Sequence, residues 1–178
     1  SRVQSPHVVA VLAADEGKSG PPFLAMEMLD GLDLDTLIKR LGALSPPAVA
    51  RIFVQAARGL EAAHASGIVH RDVKPANLFL HELADGLLCT KVCDFGVAKS
   101  LDLTPEANTT LDLTRTGGML GSPMYLSPEQ ARSAKTVGPA TDVWSLALSL
   151  YEALSGQRAW AGCHSMGELI VAICTSDV

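Results

Sequence analysis

The chain has 178 residues, of which 48% are apolar and 19% charged, and its formal net charge is -5. This length can bury one core, the apolar content excludes a disordered chain, and the acidic balance argues against a nucleic-acid partner. No stretch reaches the roughly 18 consecutive apolar residues of a membrane span, and no signal peptide is visible. Four cysteines, too few for a disulfide scaffold and without the paired spacing of a zinc site, favour free thiols and a cytoplasmic location.

Two short apolar runs open the chain, at residues 8–13 and 23–28. Glycine, proline and charged residues lie between them, which predicts an antiparallel pair of strands with a long turn. Because a two-stranded hairpin is marginal by itself, we expect more sheet or a helix to precede residue 1 in the natural protein.

A long amphipathic helix is predicted between residues 45 and 67. Ser45 can cap it, Pro46 suits its first position and Gly67 suits its end. Its apolar residues recur at intervals of three and four: Val49, Ile52, Phe53, Ala56, Leu60 and Ala63. We expect this face to pack on the core.

Further along, two apolar segments flank "HELADG" and predict a second hairpin with the Asp-Gly pair in its turn. Residues 97–126 have few periodic apolar positions, which is typical of a long functional loop. Residues 142–154 are apolar around most of the helical circumference and predict a central buried helix. Ser165 and Glu168 then form a capping box that starts a last helix.

The segment "HRDVKPAN", residues 70–77, places five polar or charged side chains beside the second hairpin. Its proline disfavours helix for the preceding residue, so the segment should be extended or looped and its side chains can converge. Asn77 and Asp94, brought together across the hairpin, would offer the hard oxygen ligands that Mg²⁺ accepts alongside water and phosphate. Lys74 would then neutralise phosphate charge, and Asp72 would accept a proton from an incoming hydroxyl.

Each part of this pattern is weak alone, since a single HRD or DFG tripeptide is common and a lone histidine is typical of a packed core. The parts occur together and in order, because "HRDVKPAN" is followed by "DFG" and then by "SPE". The chain contains the segments "GIVHRDVKPAN" and "YLSPEQAR". With them it resembles the eukaryotic-like serine/threonine protein kinases of bacteria along essentially its whole length.

The resemblance implies an α+β, protein-kinase-like fold. Residues 1–29 would form the end of the N-lobe, with its last two strands and the hinge. Residues 30–178 would form part of a mostly helical C-lobe that carries the catalytic loop, the activation loop and the central buried helix.

The family's adenine site corresponds to the hinge "MEMLDG" and a strand beyond it. By resemblance, Met26 is the gatekeeper, while the Glu27 carbonyl and the Leu29 amide bind the adenine edge. Leu34 and Phe79 would sandwich the adenine ring.

The remaining contacts to ATP and metal follow from the same resemblance. Asp33 would meet the ribose hydroxyls, and a helix N-cap is the alternative role for it. Asp72 would be the catalytic base, Lys74 the contact to the γ-phosphate, and Asn77 and Asp94 the ligands of Mg²⁺.

Four further residues would have structural roles. His70 and Phe95 resemble members of the family's stacked apolar spine, and Asp142 resembles the anchor that bonds back to the catalytic loop. Glu129 pairs in the family with an arginine, which is expected further on than residue 178. The "SPEQ" segment also makes a good helix start whatever its function.

The stretch between "DFG" and "SPE" resembles an activation loop, and protein substrates are the implied partners. Lys74 at its place in the loop favours serine or threonine as the substrate hydroxyl. Arg71 marks kinases in which a phosphorylated loop threonine pairs with that arginine, and Thr114 and Thr116 are the candidates, with ordinary polar loop residues as the alternative. Ser122 stands where threonine is commoner and would bond to Asp72 and Lys74.

The sequence contains no G-x-G-x-x-G loop, no lysine in a V-A-I-K setting and no helix with its paired glutamate. We therefore expect the chain to be truncated at both ends and inactive by itself, within a natural protein that is an active kinase. Two other functions stay open: a half-kinase that binds a partner without catalysis, and a small-molecule kinase of similar fold.

Overall fold

The structure, a computed structural model, describes residues 3–15, 17, 21, 23–95, 122–132 and 137–175. Within these residues, five α-helices and two small antiparallel sheets form an α+β architecture, as predicted. None of the helices in that part of the chain is long and apolar enough to cross a membrane.

The first sheet contains two antiparallel strands, β1 (Val11–Asp15) and β2 (Phe23–Met26). The predicted hairpin is confirmed, but its first strand begins at residue 11 rather than at residue 8. Val8 instead forms an isolated parallel bridge with Val92 and is 6% exposed. The first apolar run is therefore divided between a segment that packs on the core and a strand.

The second sheet has the order β3 (Gly31–Asp33), β4 (Leu78–Glu82) and β5 (Leu88–Val92), all antiparallel. The hairpin of β4 and β5 is the second predicted one, with its Asp-Gly turn, and β4 also takes in the first two residues of "HELADG". Asp33 lies opposite Phe79 in the register of β3 and β4. This pairing places the start of the first helix beside the strand that follows the "HRDVKPAN" segment.

Two helices follow β3, α1 (Leu34–Leu41) and α2 (Pro46–Ala65). Every apolar position predicted for the long helix is buried on one face of α2. The expected cap is wrong in one respect, because Ser45 occupies the N-cap position but its side chain makes no capping hydrogen bond. The first two helical residues are prolines, which have no amide hydrogen to donate to it.

Gly59 of α2 allows the N-terminal segment to lie directly against the helix. A Cβ atom at this position would lie 2.4 Å from the carbonyl oxygen of His7. That same oxygen accepts the amide of Val92 at 2.9 Å, and the Val9 amide donates to the Val92 carbonyl at 3.0 Å. Any larger residue at 59 would therefore displace a backbone segment that is hydrogen-bonded to β5.

The last three helices are α3 (Pro128–Arg132), α4 (Pro139–Ser155) and α5 (Met166–Thr175). Ser165 and Glu168 cap α5, since the Glu168 amide donates to Ser165 Oγ at 3.2 Å.

Helix α4 lies between two apolar clusters. Its Ala153 belongs to the cluster formed by α1, α2, β4 and β5, and its Leu148 packs with the apolar residues of α5. The sequence predicted a central buried helix, but α4 is not buried on all sides. Its Val143, Tyr151 and Leu154 are 62%, 49% and 42% exposed.

The reason is that much of the buried face of α4 is polar. It carries Ser145 and Ser149, which are satisfied locally because Ser145 Oγ donates to the carbonyls of Tyr125 and Thr141, and Ser149 Oγ donates to the Ser145 carbonyl. These small hydroxyl side chains let the helix pack closely on its neighbours because their own oxygens pair with nearby carbonyls. A hydrophobicity pattern therefore misjudges which face points inward.

Candidate active site

Asp142 of α4 holds the start of the "HRDVKPAN" segment. Its Oδ2 accepts the His70 amide at 2.9 Å and its Oδ1 accepts the Arg71 amide at 2.8 Å. His64, in the last turn of α2, lies with Nε2 2.7 Å from the same Oδ2. The Asp142 side chain is fully buried, so its carboxylate is satisfied by these three donors and not by solvent.

His70 is buried, and its two ring nitrogens have different roles. Nε2 donates to the Cys93 carbonyl at 2.8 Å, so Nδ1 is the unprotonated nitrogen, and it accepts the Asp72 amide at 3.2 Å. The ring also lies against Phe95, with centroids 4.6 Å apart. Burial lowers the pKa of His70 below its usual value, although the Cys93 bond and the charges of Asp142 and Asp72 oppose this shift. The imidazole is therefore kept neutral, in the one tautomer that links the loop to the end of β5.

Asp72, Lys74 and Asn77 come together after this point. Lys74 Nζ donates to Asp72 Oδ2 at 2.8 Å, and Asn77 Nδ2 lies 2.8 Å from the Asp72 carbonyl oxygen and 3.4 Å from Oδ2. Lys74 has extended backbone angles, as its following proline predicted, and residues 75–77 form a single 3₁₀ turn. This turn brings the Asn77 side chain back to Asp72. In a continuous strand, two residues five positions apart would lie on opposite faces.

Asp94 follows directly on a residue that is bonded to the loop. The Cys93 amide donates to the Asn77 carbonyl at 2.9 Å, so the end of β5 and the 3₁₀ turn lie side by side. Asp94 is exposed and has a φ of 55°, a left-handed conformation that is uncommon for a residue with a Cβ atom. In the described part of the chain, no cluster of three or more His, Cys, Asp or Glu forms a metal site.

These donors nevertheless suit magnesium. Mg²⁺ is commonly bound by one or two protein oxygens and completes its shell with water and substrate phosphates. The Asn77 nitrogen is bound to Asp72, so the amide oxygen is the atom left to act as a ligand. The carboxylate of Asp94 is the second hard donor.

The predicted hinge begins at the end of β2. Met26 is the last residue of that strand, and the Glu27 amide donates to the Ala10 carbonyl at 2.9 Å. Glu27 Oε1 accepts the Ala10 amide at 2.8 Å and Lys91 Nζ at 2.7 Å. Burial alone would raise the pKa of Glu27, but the hydrogen bond from Lys91, that from Ala10 and the Lys91 charge together hold this pKa below its usual value. The Glu27 side chain is thus bound to Ala10 and Lys91, while the Glu27 carbonyl and the Leu29 amide are the groups that were predicted to bind adenine.

The predicted roles of Asp33, Leu34 and Phe79 have different outcomes. Asp33 caps α1, as the alternative role required, with Oδ1 accepting the Thr36 amide and Oδ2 accepting Thr36 Oγ1, both at 2.8 Å. Phe79 is half-buried and lies opposite it. The expectation for Leu34 is wrong: its side chain is 0% exposed within the apolar core and has no surface to offer an adenine ring.

The predicted activation segment is described only at its end. Thr114 and Thr116 lie outside the described residues, and Ser122 begins a 3₁₀ helix that runs to Tyr125. Arg71 is exposed and has a φ of 65°. Glu129 accepts a hydrogen bond from Thr141 Oγ1 at 2.6 Å.

Two charged or polar residues of this region were not predicted from the sequence. His64 supports Asp142 from α2, and Lys91 joins β5 to the hinge through Glu27. A helical apolar face that ends in a histidine is a weak signal for the first. A lysine in a strand of mostly buried residues was the available signal for the second, because a buried amine requires a partner.

The geometry agrees with the similarity of the chain to known proteins. Residues 1–175 match the protein kinase domain family, and the chain belongs to that family. Over 146 residues it is 39% identical to the serine/threonine-protein kinase PknA of Mycobacterium tuberculosis, an alignment that covers 82% of this chain and 31% of that protein.

Two other relatives are similar to a comparable degree. The protein named serine/threonine-protein kinases drp72 of Corynebacterium efficiens is 38% identical over 175 residues, covering 96% of this chain and 31% of that protein. The serine/threonine-protein kinase PknB of Mycolicibacterium smegmatis is 38% identical over 160 residues, covering 88% and 24%. The chain thus spans less than a third of the length of these curated relatives.

Proposed function

We propose that the natural protein containing this chain is an ATP-dependent serine/threonine protein kinase in which Asp72 is the catalytic base. The observation that supports this most directly is the convergence of a carboxylate, an ammonium and an amide: Lys74 Nζ lies 2.8 Å and Asn77 Nδ2 3.4 Å from Asp72 Oδ2. A structural role alone gives no reason to gather these three groups at one end of a strand pair.

Asp72 would accept the proton of a substrate hydroxyl, and Lys74 would stabilise the negative charge of the transferred phosphoryl group. Both side chains are partly exposed, at 27% and 24%, so a substrate can reach them. Lys74 Nζ and Asp72 Oδ2 form an ion pair, and a bound phosphate would compete with Asp72 for Lys74. Asp142 meanwhile holds the backbone amides of His70 and Arg71 at the start of the loop.

Magnesium, held by Asn77 and Asp94, would neutralise charge on the ATP phosphates. The adenine edge would bind the Glu27 carbonyl and the Leu29 amide, with Met26 as gatekeeper and Phe79 on one face of the ring.

The other untested assignments belong to the same proposal. Asp33 would contact the ribose while it caps α1, and phosphorylated Thr114 or Thr116 would pair with Arg71. Ser122 would bond to Asp72 and Lys74. We place the activity in the cytoplasm, which is supported by four cysteines that are all free thiols.

Phosphate transfer to defined acceptors tests this function against its alternatives. The natural full-length protein is incubated with γ-labelled ATP, Mg²⁺ and peptides that differ only in Ser, Thr, Tyr or Ala at one position. A serine/threonine kinase labels the Ser and Thr peptides alone. Binding of ATP without transfer to any acceptor would favour the half-kinase, and transfer only to small alcohols would favour a small-molecule kinase.

A further inference from the structure

We propose that Gln130 of α3 is a positioning residue for Asp72, acting through the peptide group that joins Arg71 to Asp72. The inference rests on the proposed kinase function and adds to it a residue outside the catalytic loop. Gln130 Nε2 donates to the Arg71 carbonyl at 2.9 Å, across 59 positions of sequence.

The peptide group in question is held at both edges. Its carbonyl, from Arg71, accepts Gln130, and its N–H, from Asp72, donates to Nδ1 of His70 at 3.2 Å. A peptide plane that is fixed on both sides cannot rotate without breaking one of these bonds. The direction in which the Asp72 side chain leaves the backbone is therefore fixed too.

The bonds to Asp142 do not provide this restraint. Asp142 binds the amides of His70 and Arg71, which both precede the peptide group. Rotation about the last backbone bond of Arg71 would redirect Asp72 and leave both of those bonds intact. Arg71 also has a φ of 65°, a conformation that a residue with a Cβ atom keeps only when its surroundings hold it.

Gln130 is itself fixed in the orientation that the restraint needs. Its Oε1 accepts the Ser127 amide at 3.1 Å, so its nitrogen must face the other way, toward Arg71. The backbone amide of Gln130 in turn donates to Ser127 Oγ at 3.3 Å, and this oxygen lies 3.1 Å from Thr141 Oγ1 of α4. Ser127 and Thr141 are both fully buried. The side chain that reaches the catalytic loop is thus anchored through a capping box to the central helix.

The oxygen and the nitrogen of the Gln130 side-chain amide bind different partners, and substitutions can remove one contact while keeping the other. Gln130→Glu keeps an oxygen for the Ser127 amide and is a normal capping-box residue, but it has no hydrogen to donate to the Arg71 carbonyl. Gln130→Lys keeps a donor within reach of that carbonyl and loses the acceptor for Ser127. The first variant removes the restraint on the loop, and the second is the matched control for the helix cap.

Steady-state kinetics and thermal unfolding of the natural full-length protein, as wild type and both variants, provide the first test. We expect Gln130→Glu to lower kcat about tenfold, with KM for ATP within about twofold and Tm within about 2 °C of wild type. We expect Gln130→Lys to keep kcat within about threefold but to lower Tm by about 2–4 °C. An unchanged kcat in Gln130→Glu would overturn the proposal. A kcat that falls only where Tm falls as well would overturn it too.

Amide hydrogen exchange at residues 71–73 gives a second readout that needs no activity. Exchange of this segment should be about tenfold faster in Gln130→Glu and unchanged in Gln130→Lys, because only the first variant frees the peptide group. Equal exchange in wild type and Gln130→Glu would refute the positioning role. If the wild-type protein transferred no phosphate, the proposed function would fail, and exchange would still decide whether Gln130 holds the loop.

Discussion

Replacing Asp142 with asparagine should strongly destabilise the protein. The carboxylate accepts the His70 amide and His64 on Oδ2, and the Arg71 amide on Oδ1. Asparagine offers one oxygen and one NH₂ group. Whichever way it turns, its NH₂ faces at least one backbone N–H in a site with no solvent.

The expected loss follows from the bonds that are broken. A hydrogen bond to a charged group contributes about 1.5–3 kcal/mol, and a buried donor left without an acceptor costs about 1–3 kcal/mol. These effects overlap, so we expect a net loss of about 3 kcal/mol in the free energy of unfolding. For a domain of this size, that corresponds to a fall of about 6–12 °C in Tm.

Differential scanning calorimetry of the natural protein measures this directly. Asp85→Asn is the matched control, because it makes the same chemical change on the exposed β4–β5 turn and keeps an oxygen for the Leu87 amide. We expect this control to stay within about 1 °C of wild type. An Asp142→Asn protein as stable as the control would show that the buried carboxylate does not hold the loop.

Three further results are expected. The NMR titration of His70 should show a midpoint below 6.5, and a midpoint above 6.5 would contradict the neutral ring. The free energy of unfolding should fall as the pH drops below about 6.5, because His70 takes up its proton at a higher pH in the unfolded chain than in the folded one. Gly59→Ala should lower stability by about 1–3 kcal/mol in denaturant unfolding, since its Cβ meets a backbone carbonyl, whereas Gly167→Ala, another helical glycine, has space and should cost nothing measurable. Asp94→Ala should abolish the magnesium dependence of ATP binding by the natural protein, measured calorimetrically; equal binding with and without the substitution would remove Asp94 as a metal ligand.

Local pattern was enough to predict the elements that build the site. The buried face of α2 is the one that its periodicity indicated, and the hairpin of β4 and β5 has the Asp-Gly turn that its sequence required. These features depend on neighbours within a few residues, where the period of a helix or the chemistry of a turn decides the outcome.

The features that the sequence did not reveal all depend on distant partners. Val8 belongs to the core and not to β1 because its backbone docks beside Val92 and against Gly59 of α2. Leu34 has the same residue type as an adenine contact would have, and only the packing of α1 shows that it is fully buried. Gln130 was visible as a helix start, but its second bond joins it to a carbonyl 59 positions earlier in the chain.

In the proposed mechanism, Asp72 is a catalytic base held by its loop and is not a residue that binds ATP. Single-turnover phosphate transfer and MgATP affinity should therefore be measured together for the natural protein and for Asp72→Asn, with Asp85→Asn as control. We predict that Asp72→Asn lowers the transfer rate by at least about a hundredfold and changes the Kd for MgATP by less than about threefold. An Asp72→Asn protein that transfers phosphate at the rate of the control would contradict the account.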